Sequence, residues 1–148
     1  MECLKLSTNC AQGPRGPIGA WDIDAVTDMS DLFIINDIVE SDSVDSNDYG
    51  PVSDPKPIPG ADKFNGDLSK WDVVNVMNMN SMFQFAKSFN SDLSKWDVSA
   101  VTDMGSMFAE ASSFNADLSK WDVSSVIDME SMFGDATSFN ADLSLIHI

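Results

Sequence analysis

The sequence predicts a right-handed α/β repeat solenoid with one short parallel strand and one short helix in each 25-residue coil. Three observations carry this expectation. A segment recurs at a fixed period, its apolar spacing changes character halfway, and one copy is too small to bury its own apolar face. FNGDLSKWDVVNVMNMNSMFQFAKS at 64–88 returns as FNSDLSKWDVSAVTDMGSMFAEASS at 89–113 and as FNADLSKWDVSSVIDMESMFGDATS at 114–138. The second and third copies are identical at 18 of 25 positions, which leaves chance no role.

Residues 1–20 read as a flexible N-terminal arm. It carries Cys3 and Cys10, which either close a small loop or stay as two free thiols. Its Gly13, Gly16 and Gly19 triplets echo collagen, but so few cannot wind a triple helix, and they read as loop. Residues 21–38 hold a first partial repeat, WDIDAVTDMSDLF at 21–33, with Trp21 two periods before Trp71. Between them, 39–63 is acidic, including Asp45 and Asp48, and contains Pro51, Pro55, Pro57 and Pro59. Ser46 stands where a Trp would fall and Pro57 where a Met would. Such a stretch buries too little apolar surface to offset its ordering entropy, and reads as a mobile loop inserted in one coil. A degenerate coil that keeps the phase is the alternative. The repeats proper fill 64–143, the last copy being partial at 139–143. Residues 144–148 read as a non-native tail, which leaves His147 without a role.

Within a copy, Met104, Met107, Phe108, Ala111 and Phe114 follow a spacing of three and four, which predicts a short helix with all five on one face. Upstream, Trp96 and Val98 alternate with Asp97 as in a short strand. Stacked copies would place these strands in a parallel ladder at about 4.8 Å spacing, with right-handed crossovers.

The string FNxDLSKWDVSxVxxMxxMFxxAxS resembles the repeat of BspA-like surface proteins, a leucine-rich-repeat-like group. The resemblance covers 64–143 well and 21–33 in part, about two-thirds of the chain. It implies a leucine-rich-repeat-like solenoid, display at a cell surface or outside the cell, and adhesion or partner binding. It implies no catalytic residues. The chain shows no export signal and carries the Pro-rich insertion, two departures from that pattern, and reads as a fragment of a longer protein.

Composition excludes several functions. With 24 acidic against 8 basic side chains and a net charge of −16, the chain cannot neutralise phosphates, so no nucleic-acid partner is expected. No apolar run approaches the length that spans a bilayer, so no membrane insertion is expected. One histidine and two terminal cysteines leave little from which to build a nucleophilic triad or a zinc site. Every Asp pair recurs coil after coil, as architecture does, so no enzyme is expected.

The repeated columns follow. Trp21, Trp71, Trp96 and Trp121 read as core, as do the Met and Phe columns. Asn65, Asn90, Asn115 and Asn140 read as a structural ladder. The acidic columns, Asp67, Asp92, Asp117 and Asp142 in one line and Asp22, Asp72, Asp97 and Asp122 in the other, are the functional candidates. They would pair with Lys70, Lys95 and Lys120, cap turns, or bind calcium through Asp67, Asp72, Asp92, Asp97, Asp117 and Asp122, since stacked carboxylates are hard oxygen ligands. Two functions result: a non-enzymatic interaction module with a protein or glycan partner, or a purely structural spacer or wall component, with or without stiffening by divalent cations. Uncapped solenoid ends also predict self-association.

Overall fold

A computed structural model describes residues 17–35 and 56–141. Cys3, Cys10, Asp142 and the tail at 144–148 with His147 lie outside the described residues.

The Met and Phe segment shows how the chain is built. From Met79 to Ala86, backbone amides alternate in destination. Those of Met79, Ser81, Phe83 and Phe85 donate to the carbonyls of Asp103, Gly105, Met107 and Ala109 in the next copy, at 2.8–2.9 Å. Those of Met82, Gln84 and Ala86 reach back three residues within their own copy. The next copy repeats the pattern, Met104, Ser106, Phe108 and Glu110 donating to Asp128, Glu130, Met132 and Gly134. An α-helix would send every amide back four residues, so the helix expected over 104–114 does not form, and no described residue is α-helical. Left-handed backbone at Ser81, Ser106 and Ser131, and again at Phe85, Glu110 and Asp135, turns the chain twice per copy.

The strand expected at Trp96–Val98 is also absent. That stretch is a run of tight turns closed by Trp96 N–H to the Leu93 carbonyl and Val101 N–H to the Val98 carbonyl. The parallel bridges whose two partners are both described run instead from Asp28 to Asn78 to Asp103 to Asp128. The short turns leave no extended run in which a longer strand could pair. The copies therefore stack as coils joined by single bridges and alternating amides.

Side chains fill the space between coils. Phe33, Phe83, Phe108 and Phe133 stack in one column at 5.5–5.9 Å between ring centroids. Phe64, Phe89, Phe114 and Phe139 stack in a second at 5.8–6.0 Å. Within a coil the two columns touch, Phe108 lying 3.9 Å from Phe114. Trp71, Trp96 and Trp121 are buried and donate their indole N–H groups one coil back, to the carbonyls of Ile18, Leu68 and Leu93 at 2.8–3.2 Å, while Trp21 is half-buried. A fully buried aromatic or aliphatic side chain contributes about 1.5–3 kcal/mol, so these columns dominate the stability of the stack.

Two boundaries differ from expectation. Residues 17–20 are not part of a free arm: Ile18 is buried, heads a 3-10 turn at Ile18–Ala20, and accepts the Trp71 indole bond. Gly19 lies so close to the Asp67 carbonyl that a Cβ there would sit 2.1 Å from its oxygen. The expected insertion at 39–63 enters the described residues at 56, and from there it is packed. β1 (Ile34–Ile35) pairs antiparallel with β2 (Lys56–Pro57), and Ile58 donates its amide to the Phe33 carbonyl. Gly60, with φ 92°, then takes the left-handed position held one period later by Phe85, and Ala61 takes that of Ala86. Residues 60–63 therefore complete the corner of the first coil, and the boundary moves inward because these positions keep the period. That coil lies directly on the one at 71–83, since Asp28 bridges Asn78 with no coil between them.

Candidate functional site

The acidic columns are the candidate surface, and local turn geometry accounts for their placement. A short carboxylate accepts the backbone amide two residues on and closes a turn around itself. Asp67, Asp92 and Asp117 accept from Ser69, Ser94 and Ser119, each at 2.9 Å. Asp22, Asp72, Asp97 and Asp122 accept from Asp24, Val74, Ser99 and Ser124 at 3.0–3.2 Å. All are exposed. Ser99 also donates its hydroxyl to Asp97 at 2.6 Å.

A third column, outside the two acidic lines, carries the joints between coils. Asp28, Asn78, Asp103 and Asp128 accept from Ser30, Asn80, Gly105 and Glu130 at 2.8–2.9 Å and also carry the parallel bridges. Its signal in the sequence is the Asp or Asn that directly precedes Met29, Met79, Met104 and Met129. Asn80 donates its side-chain amide to Asp103 at 3.3 Å, and a Cβ at Gly105 would meet that amide at 2.7 Å.

These bonds hold carboxylates ionised. The Ser69 amide, with its hydroxyl second, lowers the pKa of Asp67; the Ser119 and Ser30 amides do so for Asp117 and Asp28. At Asp92 and Asp97 the hydroxyls of Ser94 and Ser99 come first and their amides second. Lysine attraction is the smaller effect, from Lys70 on Asp67, Lys95 and Lys120 on Asp92, and Lys120 on Asp117. Turn capping thus outweighs ion pairing at these positions.

Among the six calcium candidates, each described carboxylate spends one oxygen on its own turn. Among the described residues no group of three or more His, Cys, Asp or Glu converges as a metal-ligand set. The structure brings Asp67, Asp92 and Asp117 into one line and Asp72, Asp97 and Asp122 into another, but does not gather them round a common centre. Calcium selectivity comes from six to eight converging oxygens, which isolated columns do not supply.

The Asn ladder is structural. Asn65, Asn90 and Asn115 accept, through their side-chain oxygens, the backbone amides of Asn90, Asn115 and Asn140, at 2.8–2.9 Å. At the N-terminal end of the stack a half-open cavity of about 510 Å³ is lined by Trp21, Ile23, Val26, Met29, Leu32 and Trp71, with Asp22 and Asp28 beside them.

These features define a repeat protein whose recurring polar positions serve the turns and joints between 25-residue coils. A family model described as "Mycoplasma protein of unknown function, DUF285" matches residues 4–54 and 55–147, and the chain belongs to that family. No curated protein and no solved structure matches the chain. No helix of the described residues is long and apolar enough to cross a membrane.

Proposed function

We propose that the chain is a non-enzymatic interaction module, a solenoid of the BspA-like kind displayed at a cell surface, which binds a protein or glycan partner through the exposed side of its coils. The observation that carries this reading is a departure from the repeat. At one outward position, where later coils place Ser99 and Ser124, the coil at 64–88 places Val74, 42% exposed; at a second, where Thr27 and Thr102 stand in two coils, it places Met77 and the coil at 114–138 places Ile127, which are 51% and 88% exposed. Architecture would be served by the Ser and Thr that stand at these positions, Ser99, Ser124, Thr27 and Thr102. Apolar groups turned to water at non-repeating positions are what a recognition surface requires. The acidic columns around them, held ionised by their turns, favour a partner with cationic or hydroxyl groups.

The test converts this coil to the pattern of its neighbours with Val74→Ser and Met77→Thr, then measures binding to arrays of glycans and extracellular proteins. Binding by the unaltered chain that the variant loses, at an unchanged melting temperature, supports the reading. Equal behaviour of both chains favours the second reading, a structural spacer, for which the uniform Asp, Ser and Lys columns speak.

A further inference from the structure

Each coil turns an edge to water at the tight turn after its Trp. Buried Val73 and Val76 close that turn, the Val76 amide donating to the Val73 carbonyl at 2.9 Å, and Asp72, Val74, Asn75 and Met77 around them are exposed. The same bond recurs from Val101 to Val98 and from Val126 to Val123. The edges are held in register. Met77, Thr102 and Ile127 each donate their amide to the residue at the same place one coil earlier, Thr27, Met77 and Thr102, at 2.8–2.9 Å. The edges therefore line up as one strip along the stack.

Charge on this strip is of one sign. Residues 21–29, 71–79, 96–104 and 121–129 hold eight Asp and no Lys or Arg. The lysines act on the other acidic line, Lys70 on Asp67, Lys95 and Lys120 on Asp92, and Lys120 on Asp117. At Asp97 the charge that acts is instead the carboxylate of Asp122, which repels it. Val74, Met77 and Ile127, the exposed large apolar groups of the strip, lie between the line of Asp72 and Asp97 and the line of Asp103 and Asp128. Met77 and Ile127 are two coils apart, about 10 Å at the spacing of bridged chains. Such apolar groups are stabilised by leaving water, whereas the carboxylates beside them resist it unless opposite charge replaces their hydration.

We infer that this strip binds a basic amphipathic segment of a protein partner, whose apolar side chains cover Val74, Met77 and Ile127 while its Lys or Arg side chains meet the Asp lines on either side. The inference rests on the interaction-module reading and narrows its partner to a cationic protein segment. A neutral glycan supplies no charge to offset the repulsion among these Asp. Apolar anchors about 10 Å apart suit residues about seven apart on one face of a helix, which rises 1.5 Å per residue.

The test titrates the full chain into a fluorescent peptide of Leu and Lys arranged at helical period, beside polylysine and a neutral chito-oligosaccharide, at low and high salt. The peptide is expected to bind at least about tenfold more tightly than polylysine, and less tightly as salt rises. Met77→Thr with Ile127→Thr, which restores the Thr of the other coils, is expected to weaken the peptide roughly tenfold and leave polylysine unchanged. Asp72→Asn with Asp97→Asn keeps the turn acceptors, and is expected to weaken the peptide about three- to tenfold at low salt and little at high salt. Unchanged melting temperatures show that the variants fold. Equal binding of polylysine and peptide, or peptide binding that the two Thr substitutions leave intact, overturns the inference, since charge alone would then account for it. Binding of the oligosaccharide in place of the peptide also overturns it; if Val74→Ser with Met77→Thr abolishes that binding, the interaction-module reading stands with a glycan partner. Absence of binding to the peptide and to every member of the arrays overturns both.

Discussion

At the scale of the residue, short polar side chains do the work that longer elements do elsewhere. Asp67, Asp92, Asp97, Asp117 and Asp28 each hold a turn through an amide two residues on, and each has a pKa below the ordinary value of 3.8. A carboxyl with a lowered folded pKa stabilises the fold above its unfolded pKa, and that stability is lost as pH falls through the folded value. Acidification also relieves repulsion across a chain of charge −16, which acts the opposite way. At Asp67 the repulsion from Asp92 is the last of the causes and the Ser69 bonds the first, so the loss prevails. The melting temperature is therefore expected to hold between about pH 7 and 5 and to fall below about pH 4. Asp97→Asn keeps an acceptor that does not titrate in this range. Its fall on acidification should be smaller than that of the unaltered chain, and an equal or larger fall would dissociate Asp97 from the effect.

At the scale of the element, the sequence reading and the structure part company for a definite reason. Period, core columns and Asn ladder were legible, because each depends only on which residues recur and how apolar they are. The three-and-four spacing of Met104, Met107, Phe108 and Ala111 predicts a helix, yet the same spacing arises from successive tight turns. Burial is identical in both cases, and only the backbone differs. The available sign lay in the left-handed positions, where Asp31, Ser81, Ser106 and Ser131 recur in one column and Gly60 stands in the other. Glu110 separates the two backbones by the direction of a single change. A glycine in a helix interior costs about 1 kcal/mol relative to a good helix former, whereas an L-residue in the left-handed region costs about 1–2 kcal/mol that glycine avoids. With φ 58°, Glu110→Gly should stabilise the protein, by about 0.5–1 kcal/mol after the added freedom of the unfolded chain is counted. Urea unfolding reads the sign, and destabilisation would restore the helix. The acidic site was legible as columns but not as turns, since which amide a carboxylate accepts depends on backbone geometry that composition does not encode.

At the scale of the whole molecule, stability passes from coil to coil through contacts with immediate neighbours only, as in other repeat arrays. The first coil is a special case, assembled from 18–35 and 58–63, so its closure depends on β1 meeting β2 and on Ile58 bonding Phe33. An interior coil has a neighbour on both sides; the forward amides of 129–135 have no partner among the described residues. Hydrogen exchange should therefore grade along the stack rather than follow sequence. Phe83 and Phe108 amides are bonded at 2.8 Å to the next coil and flanked by rings at 0% exposure, so they open only with the array. The Phe133 amide holds the same place in its copy without that bond among the described residues, and should exchange faster by several orders of magnitude, as frayed ends do relative to global opening. Exchange at Phe133 as slow as at Phe108 in dilute solution would mean that the two coils have equal neighbours, and the gradient would be lost.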